Sequence, residues 1–154
     1  MKLIQLTQGQ FAMVDDEDFE ELNQFKWYAN SSNKYFRAIR NIRINGKYTT
    51  VKLHRVIMSA QKGDIIDHID GDTLNNQRSN LRFCTNSQNQ HNSKIRSNNK
   101  SGFKGVHLSR KGFRAEIRLN GKVIYLGRRS TAEEAHELYK EASEKYHGDF
   151  GRLE

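Results

Sequence analysis

Two Asn-Gly pairs constrain this chain more than any other feature. Asn45–Gly46 separates YFRAIRNIRI (35–44) from KYTTVKL (47–53), and Asn120–Gly121 separates FRAEIRL (113–119) from KVIYLGR (122–128). Asn-Gly between alternating apolar and polar runs is the signature of a two-residue hairpin, because both turn positions need positive φ. The fold must therefore be organised around antiparallel strands.

The rest of the chain fits around those hairpins. Residues 2–14 read as another hairpin, KLIQL and FAMV around TQGQ. The run DDEDFEEL (15–22) puts acids at a helix N-terminus and spaces Phe19, Leu22 and Phe25 along one apolar face, so its charge has a structural reason. LHRVIMSA (53–60) and FCTNSQNQHNSK (83–94) suggest short helices, and SKIRSNNKS (93–101) has no apolar periodicity. Beyond it, FKGVHLS (103–109) adds a third strand to the second Asn-Gly hairpin, and residues 131–146 form a helix opened by a Thr131/Glu134 capping box. Its stripe of Ala135, Leu138, Tyr139, Ala142 and Tyr146 faces Val106, Leu108, Ala115, Ile117, Ile124 and Leu126 on the sheet. Alternation then sends His107, Ser109, Arg114, Glu116, Arg118 and Tyr125 to the open face.

Composition narrows the function. A hydrophobic fraction of 35% allows a modest or divided core. No apolar run is long enough for a bilayer, and the one at the N-terminus is too short for a secretory signal. A single cysteine, Cys84, excludes an internal disulfide and a cysteine-rich zinc site, as expected of a soluble cytosolic chain. The net charge of +8 is concentrated: residues 94–129 hold 11 basic side chains and one acid, Glu116. Clustered with Phe103, Phe113 and Tyr125, such a density points to a nucleic acid. On the first hairpin Arg37, Arg43, Lys47 and Lys52 are polar positions whose face suits solvent or DNA equally.

Against this basic background stands DHIDGDTLNNQRSNLR (67–82), with Asp67, Asp70, Asp72 and His68 within six residues. Three carboxylates favour a hard cation. A calcium helix-loop-helix site is excluded, because Ile69 breaks the alternation and Gln77 or Arg78 stands where the late Glu belongs; a zinc site fits poorly, since the histidines are scattered with no i,i+4 pair near a third ligand. Asp67 and His68 point to opposite sides of a strand and could flank one scissile phosphate, the acid holding a divalent ion while the imidazole takes a proton from water. Asp70 and Asp72 suit turn chemistry.

The order His68, Asn80, Asn89, with LHR at 53–55, DHIDGDTLNN at 67–76 and SNLR at 79–82, resembles the HNH endonuclease motif in its H-N-N form. It most resembles the homing endonucleases of phages and mobile introns. The resemblance implies two strands and a helix around one Mg2+ or Mn2+, with Asp67 and Asn89 as metal ligands, His68 as general base and Asn80 bracing the loop and orienting the His68 ring. His91 is the alternative to Asn89. Two residues on a helix are about 200° apart, so only one of them can face the site. His54 is taken as structural.

The stretches GFKGV, FRAEIRLNGKVIYLG and TAEEAHELYKEA are similar to the plant APETALA-two/ethylene-response DNA-binding domain, which implies three strands and a helix whose open sheet face lies on DNA. The resemblance implies DNA contacts from Glu116, Arg118 and Tyr125; Lys104, His107, Ser109 and Arg114 of the same module, and Arg37 and Arg43 of the first hairpin, are further candidate DNA-binding residues. Plant members carry arginines where this chain has His107 and Ser109.

The expected fold class is α+β: N-terminal hairpins (1–52), a ββα-metal nuclease centre (53–93), a basic linker (94–101) and a three-stranded sheet on one helix (102–150). The expected function is metal-dependent hydrolysis of phosphodiester bonds in double-stranded DNA by a homing-type enzyme. It would act as a monomer without an obligate protein partner, in the cytoplasm of a bacterial host and encoded by a phage or mobile element. A catalytically silent DNA-binding regulator is the alternative; the intact set Asp67, His68, Asn80 and Asn89 argues against it. A nuclease for RNA or single strands is a third reading.

Overall fold

In the computed structural model, which describes residues 1–32 and 35–153, the chain divides into compact units of residues 1–85 and 86–154. Both are mixed α+β, built on small antiparallel sheets. Among the described residues, no helix is long and apolar enough to cross a membrane.

The first unit opens with strands β1 (Lys2–Gln5) and β2 (Phe11–Val14), followed by helix α1 (Asp16–Leu22). Strands β3 (Tyr28–Ser32), β4 (Tyr35–Ile44) and β5 (Lys47–Lys52) form a sheet, with Asn45 and Gly46 at φ 48° and 79° in the β4–β5 turn. Helix α2 (Leu53–Ile57) leads to the hairpin β6 (Ile65–His68) and β7 (Leu81–Cys84). One core joins these elements apart from β5: Ile4, Ala12, Val14, Leu22, Trp27, Ala38, Leu53, Ile57 and Leu81 are buried together. The apolar core therefore runs straight across position 52, from the N-terminal hairpins into the hairpin that carries Asp67 and His68. The far half of β4–β5 stands clear of it, with Ile44 and Tyr48 50% and 80% exposed.

The second unit begins with helix α3 (Asn86–His91). Strands β8 (Val106–Ser109), β9 (Gly112–Leu119) and β10 (Lys122–Arg129) form a sheet with β9 in the middle, and helix α4 (Ala132–His147) packs on it. Thr131 and Glu134 close the capping box in both directions. Gly105 is obligatory, since a Cβ there would sit 1.9 Å from the Tyr139 ring.

The core of this unit differs from the alternation rule at its margins. Ala115 and Ile117 on the central strand are buried, whereas Leu108 and Ile124 on the edge strands are 55% and 41% exposed. A helix about 10 Å wide covers roughly two strands spaced about 4.8 Å apart, so edge positions protrude. Tyr146 is likewise exposed, and the buried stripe of α4 takes in His136, Ser143 and His147 instead. Phe103 and Phe113 pack into this core; of the three clustered aromatics only Tyr125 is exposed.

Candidate active site

The β6–β7 hairpin sets the geometry. Antiparallel register places Asp67 opposite Arg82 and His68 opposite Leu81. Asp67 is 5% exposed, and its Oδ2 accepts hydrogen bonds from Arg82 Nε (3.0 Å) and Nη2 (2.9 Å). His68 is 6% exposed, and its neighbour on the chain side of α2 is the His54 ring, edge-on at 5.1 Å between centroids. Burial pushes the His68 pKa below the ordinary histidine value, with Asn76 hydrogen bonding and the charges of Asp70 and Asp67 opposing. The ring is thus neutral at physiological pH, the state a general base needs. His54 is driven further, to about 3, chiefly by burial and then by His68 and the cations of Lys52 and Arg37.

Asn80 is buried at the end of a short 3₁₀ turn, Arg78–Asn80. Its Oδ1 accepts from the Asp70 N–H (3.0 Å), and its Nδ2 donates to Asp70 Oδ1 (2.9 Å) and to the Asn75 carbonyl (2.8 Å). Ile69 N–H donates to the Asn80 carbonyl at 2.9 Å. Asn80 therefore ties both ends of the loop after His68. Asp70 also accepts from Asp72 N–H and Asn75 Nδ2, and Asp72 from Leu74 N–H, the bonding of turn-forming carboxylates. Burial raises the Asp70 pKa, and these donors outweigh it and hold the carboxyl below its usual range.

Sequence reasoning passed over four side chains here. Asn76, 1% exposed, is buried in the loop that follows His68, and its Nδ2 donates to the Leu74 carbonyl. Arg82 follows from the register opposite Asp67 and was legible once the hairpin was drawn. Asp15 and Asp18, assigned only to a helix N-terminus, reach across some 60 residues to Gln77 and Arg78.

Asn89 and His91 lie on α3, in the second unit. His91 stacks on His147, with centroids 3.6 Å apart and planes 17° apart, and its Nε2 is 3.3 Å from Ser87 Oγ. Asn89, two residues back, is exposed. Lys104 is half-buried: its ammonium donates to the His91 and Ser93 (2.7 Å) carbonyls at the C-terminus of α3, and burial lowers its pKa to about 8. Its charge is directed to that helix end, where a cation complements the macrodipole, and away from the open sheet face.

That open face carries His107, Arg114, Glu116, Arg118 and Tyr125, while Ser109 closes the edge opposite Gly112. Glu116 is 3.2 Å from Arg114 Nε and 3.7 Å from His107 Nε2, so it is engaged within the face. A register shift between Tyr125 and Gly127 inserts Leu126 as a bulge and brings exposed Arg128 opposite Arg114, a residue that strict alternation hides. Arg43, beside Tyr48, and half-buried Arg37 share one face of β4–β5 with Lys52, and Arg37 lies near enough to His54 and His68 to lower both their pKa values.

Among the described residues no three His, Cys, Asp or Glu side chains form a metal-holding group. Asp67 brings a carboxylate to the hairpin, a hard oxygen donor of the kind magnesium takes.

The β6–β7 hairpin thus sets a buried carboxylate beside a neutral buried imidazole, with the following loop tied by an asparagine. Comparison with known proteins shows that the HNH endonuclease family matches residues 51–91. An uncharacterized HNH endonuclease of Acanthamoeba polyphaga mimivirus is 30% identical over 148 residues, 92% of this chain and 73% of that protein. Protein 3.8 of Escherichia phage T7 is 37% identical over 94 residues, 60% of this chain and 77% of that protein. No solved structure matches. The chain belongs to the HNH endonuclease family.

Proposed function

We propose that the protein is a divalent-metal-dependent endonuclease that hydrolyses phosphodiester bonds in double-stranded DNA, of the homing type, with residues 102–150 as an APETALA-two-like targeting module. The observation that carries the reading is the juxtaposition, on one hairpin, of buried Asp67 with a buried His68 kept neutral. Asp67 and Asn89 would hold Mg2+ or Mn2+, which when bound stabilises charge developing on the phosphate. His68 accepts the proton of the attacking water, and Asn80, through Asp70 and Asn75, holds the loop that frames it. The stacking of His91 on His147 supports Asn89, on the opposite side of α3, as the helix ligand. The protein would act as a monomer in the cytoplasm of a bacterial host.

The basic open face supports duplex DNA as the substrate. Arg114, Arg118 and Arg128 supply phosphate contacts, Tyr125 and His107 reach toward bases, and Arg37 and Arg43 give the first unit a basic surface of its own. Removing Arg118 should weaken duplex binding across all sequences and reduce the salt slope of log K by about one. Fluorescence anisotropy at several salt concentrations measures both.

The defining experiment is cleavage of supercoiled plasmid with magnesium or manganese, which EDTA should stop. His68→Ala should lose at least about a hundredfold in rate while still binding DNA. Undiminished cleavage by His68→Ala would sink the assignment of the base, and binding without cleavage by the wild-type protein would favour the silent regulator.

A further inference from the structure

The segment from β2 into α1 lies outside the residues that match the family, yet it grips the loop between His68 and Leu81 at four residues, Leu74, Asn76, Gln77 and Arg78. Met13 N–H donates to the Leu74 carbonyl (2.9 Å) and Asn76 N–H to the Met13 carbonyl (2.8 Å), a parallel bridge between β2 and the loop. Asp15 then accepts from Gln77 Nε2 (3.0 Å) on one oxygen and from Arg78 N–H (2.8 Å) on the other. Asp18, its side chain 14% exposed, takes the Arg78 guanidinium in a two-pronged pair at 2.9 and 2.7 Å.

The loop needs such a grip. Residues 69–80 contain two apolar side chains, Ile69 and Leu74, and Ile69 is 41% exposed, so packing alone cannot hold the loop. It nevertheless carries Asn80, whose carbonyl accepts from Ile69 N–H directly after His68 and whose side chain ties the loop shut through Asp70 and Asn75. Gln77, held by Asp15, supplies the carbonyl that Asn80 N–H binds at 2.9 Å. The hydrogen bonds to Asp15, first from Gln77 and then from Arg78, also keep its carboxyl below the usual range, so the acceptor stays ionised.

We infer that Asp15 and Asp18 are positioning residues for the nuclease centre: through Gln77 and Arg78 they hold the Asn76–Asn80 turn in the register that His68 requires. This rests on the nuclease reading above and assigns the acidic run a role beyond helix initiation. A loop displaced by about 1 Å lowers turnover far more than it lowers DNA affinity.

The full-length chain and its Asp15→Asn, Asp18→Asn and Arg78→Ala variants would be compared in duplex cleavage and in amide hydrogen exchange. We expect kcat to fall about tenfold with KM within about twofold, and exchange to quicken in residues 69–80 but not in β3–β5. The charge-exchanged pair Asp18→Arg with Arg78→Asp should recover most of the loss. The inference is overturned if the single variants keep wild-type kcat, if exchange quickens throughout the first unit, or if the exchanged pair recovers nothing. Should the wild-type chain itself fail to cut DNA, the nuclease reading falls, and the exchange pattern alone still decides whether the clamp orders the loop.

Discussion

Asp67→Ala should abolish cleavage, a loss on the order of a thousandfold or more, and should also destabilise the first unit by about 3 kcal/mol. Two functions meet on this carboxylate: it is the expected metal ligand, and it accepts two N–H bonds from Arg82 across the hairpin. Removing it leaves a guanidinium whose side chain is only 15% exposed without that counter-charge. Arg82→Met makes the opposite experiment. It leaves the acid in place and takes away the cation that competes for it, so the variant should be unstable in EDTA and regain stability when magnesium is added. Thermal unfolding with and without magnesium measures this: the metal-dependent rise in Tm should order as Arg82→Met, then wild type, with none for Asp67→Ala. An equal rise in all three would remove Asp67 from the metal site.

What could be read from the residues, and what could not, divides along sequence distance. The Asn45–Gly46 and Asn120–Gly121 turns and the Thr131/Glu134 box are local chemistry, in which neighbouring residues carry the whole reason for the structure. Asp70 and Asp72 belong to the same class. Asp15 and Asp18 do not. Their acidic run is sufficient to start a helix, and nothing adjacent discloses that the same carboxylates bind Gln77 and Arg78. The same holds for His91, His136 and His147. They sit at helical positions that read as polar, yet His136 and His147 are buried against backbone carbonyls of Lys104 and Arg118, and His91 is stacked on His147. Lys104 looked like one more cation in a basic stretch; its ammonium turns inward because the carbonyls ending α3 need a donor there. Strict alternation misplaced Arg128 because one inserted residue, Leu126, reverses the faces of a strand.

Those buried histidines make acid sensitivity the second large effect. A histidine whose folded pKa lies below its unfolded value of 6.5 contributes stability that is complete above pH 6.5 and is lost as pH falls toward the folded value, because the unfolded chain binds the proton more readily. His54, with a folded pKa of about 3, is the extreme case; burial is its main cause, and the neighbouring His68, Lys52 and Arg37 add to it. Each pH unit within that window costs about 1.4 kcal/mol, so lowering the pH from 6.5 to 5 should remove about 2 kcal/mol through His54 alone. Carboxylates remain largely ionised over this range, which isolates the histidine contribution. The single tryptophan, Trp27, is buried in the same core as Leu53, next in sequence to His54, so its fluorescence reports unfolding of the unit concerned. Urea midpoints followed at Trp27 should fall between pH 7.5 and 5 in the wild-type chain, and His54→Gln should flatten that fall by about 2 kcal/mol. If the two chains lose stability equally over that interval, the imidazole at position 54 is not held neutral by its burial.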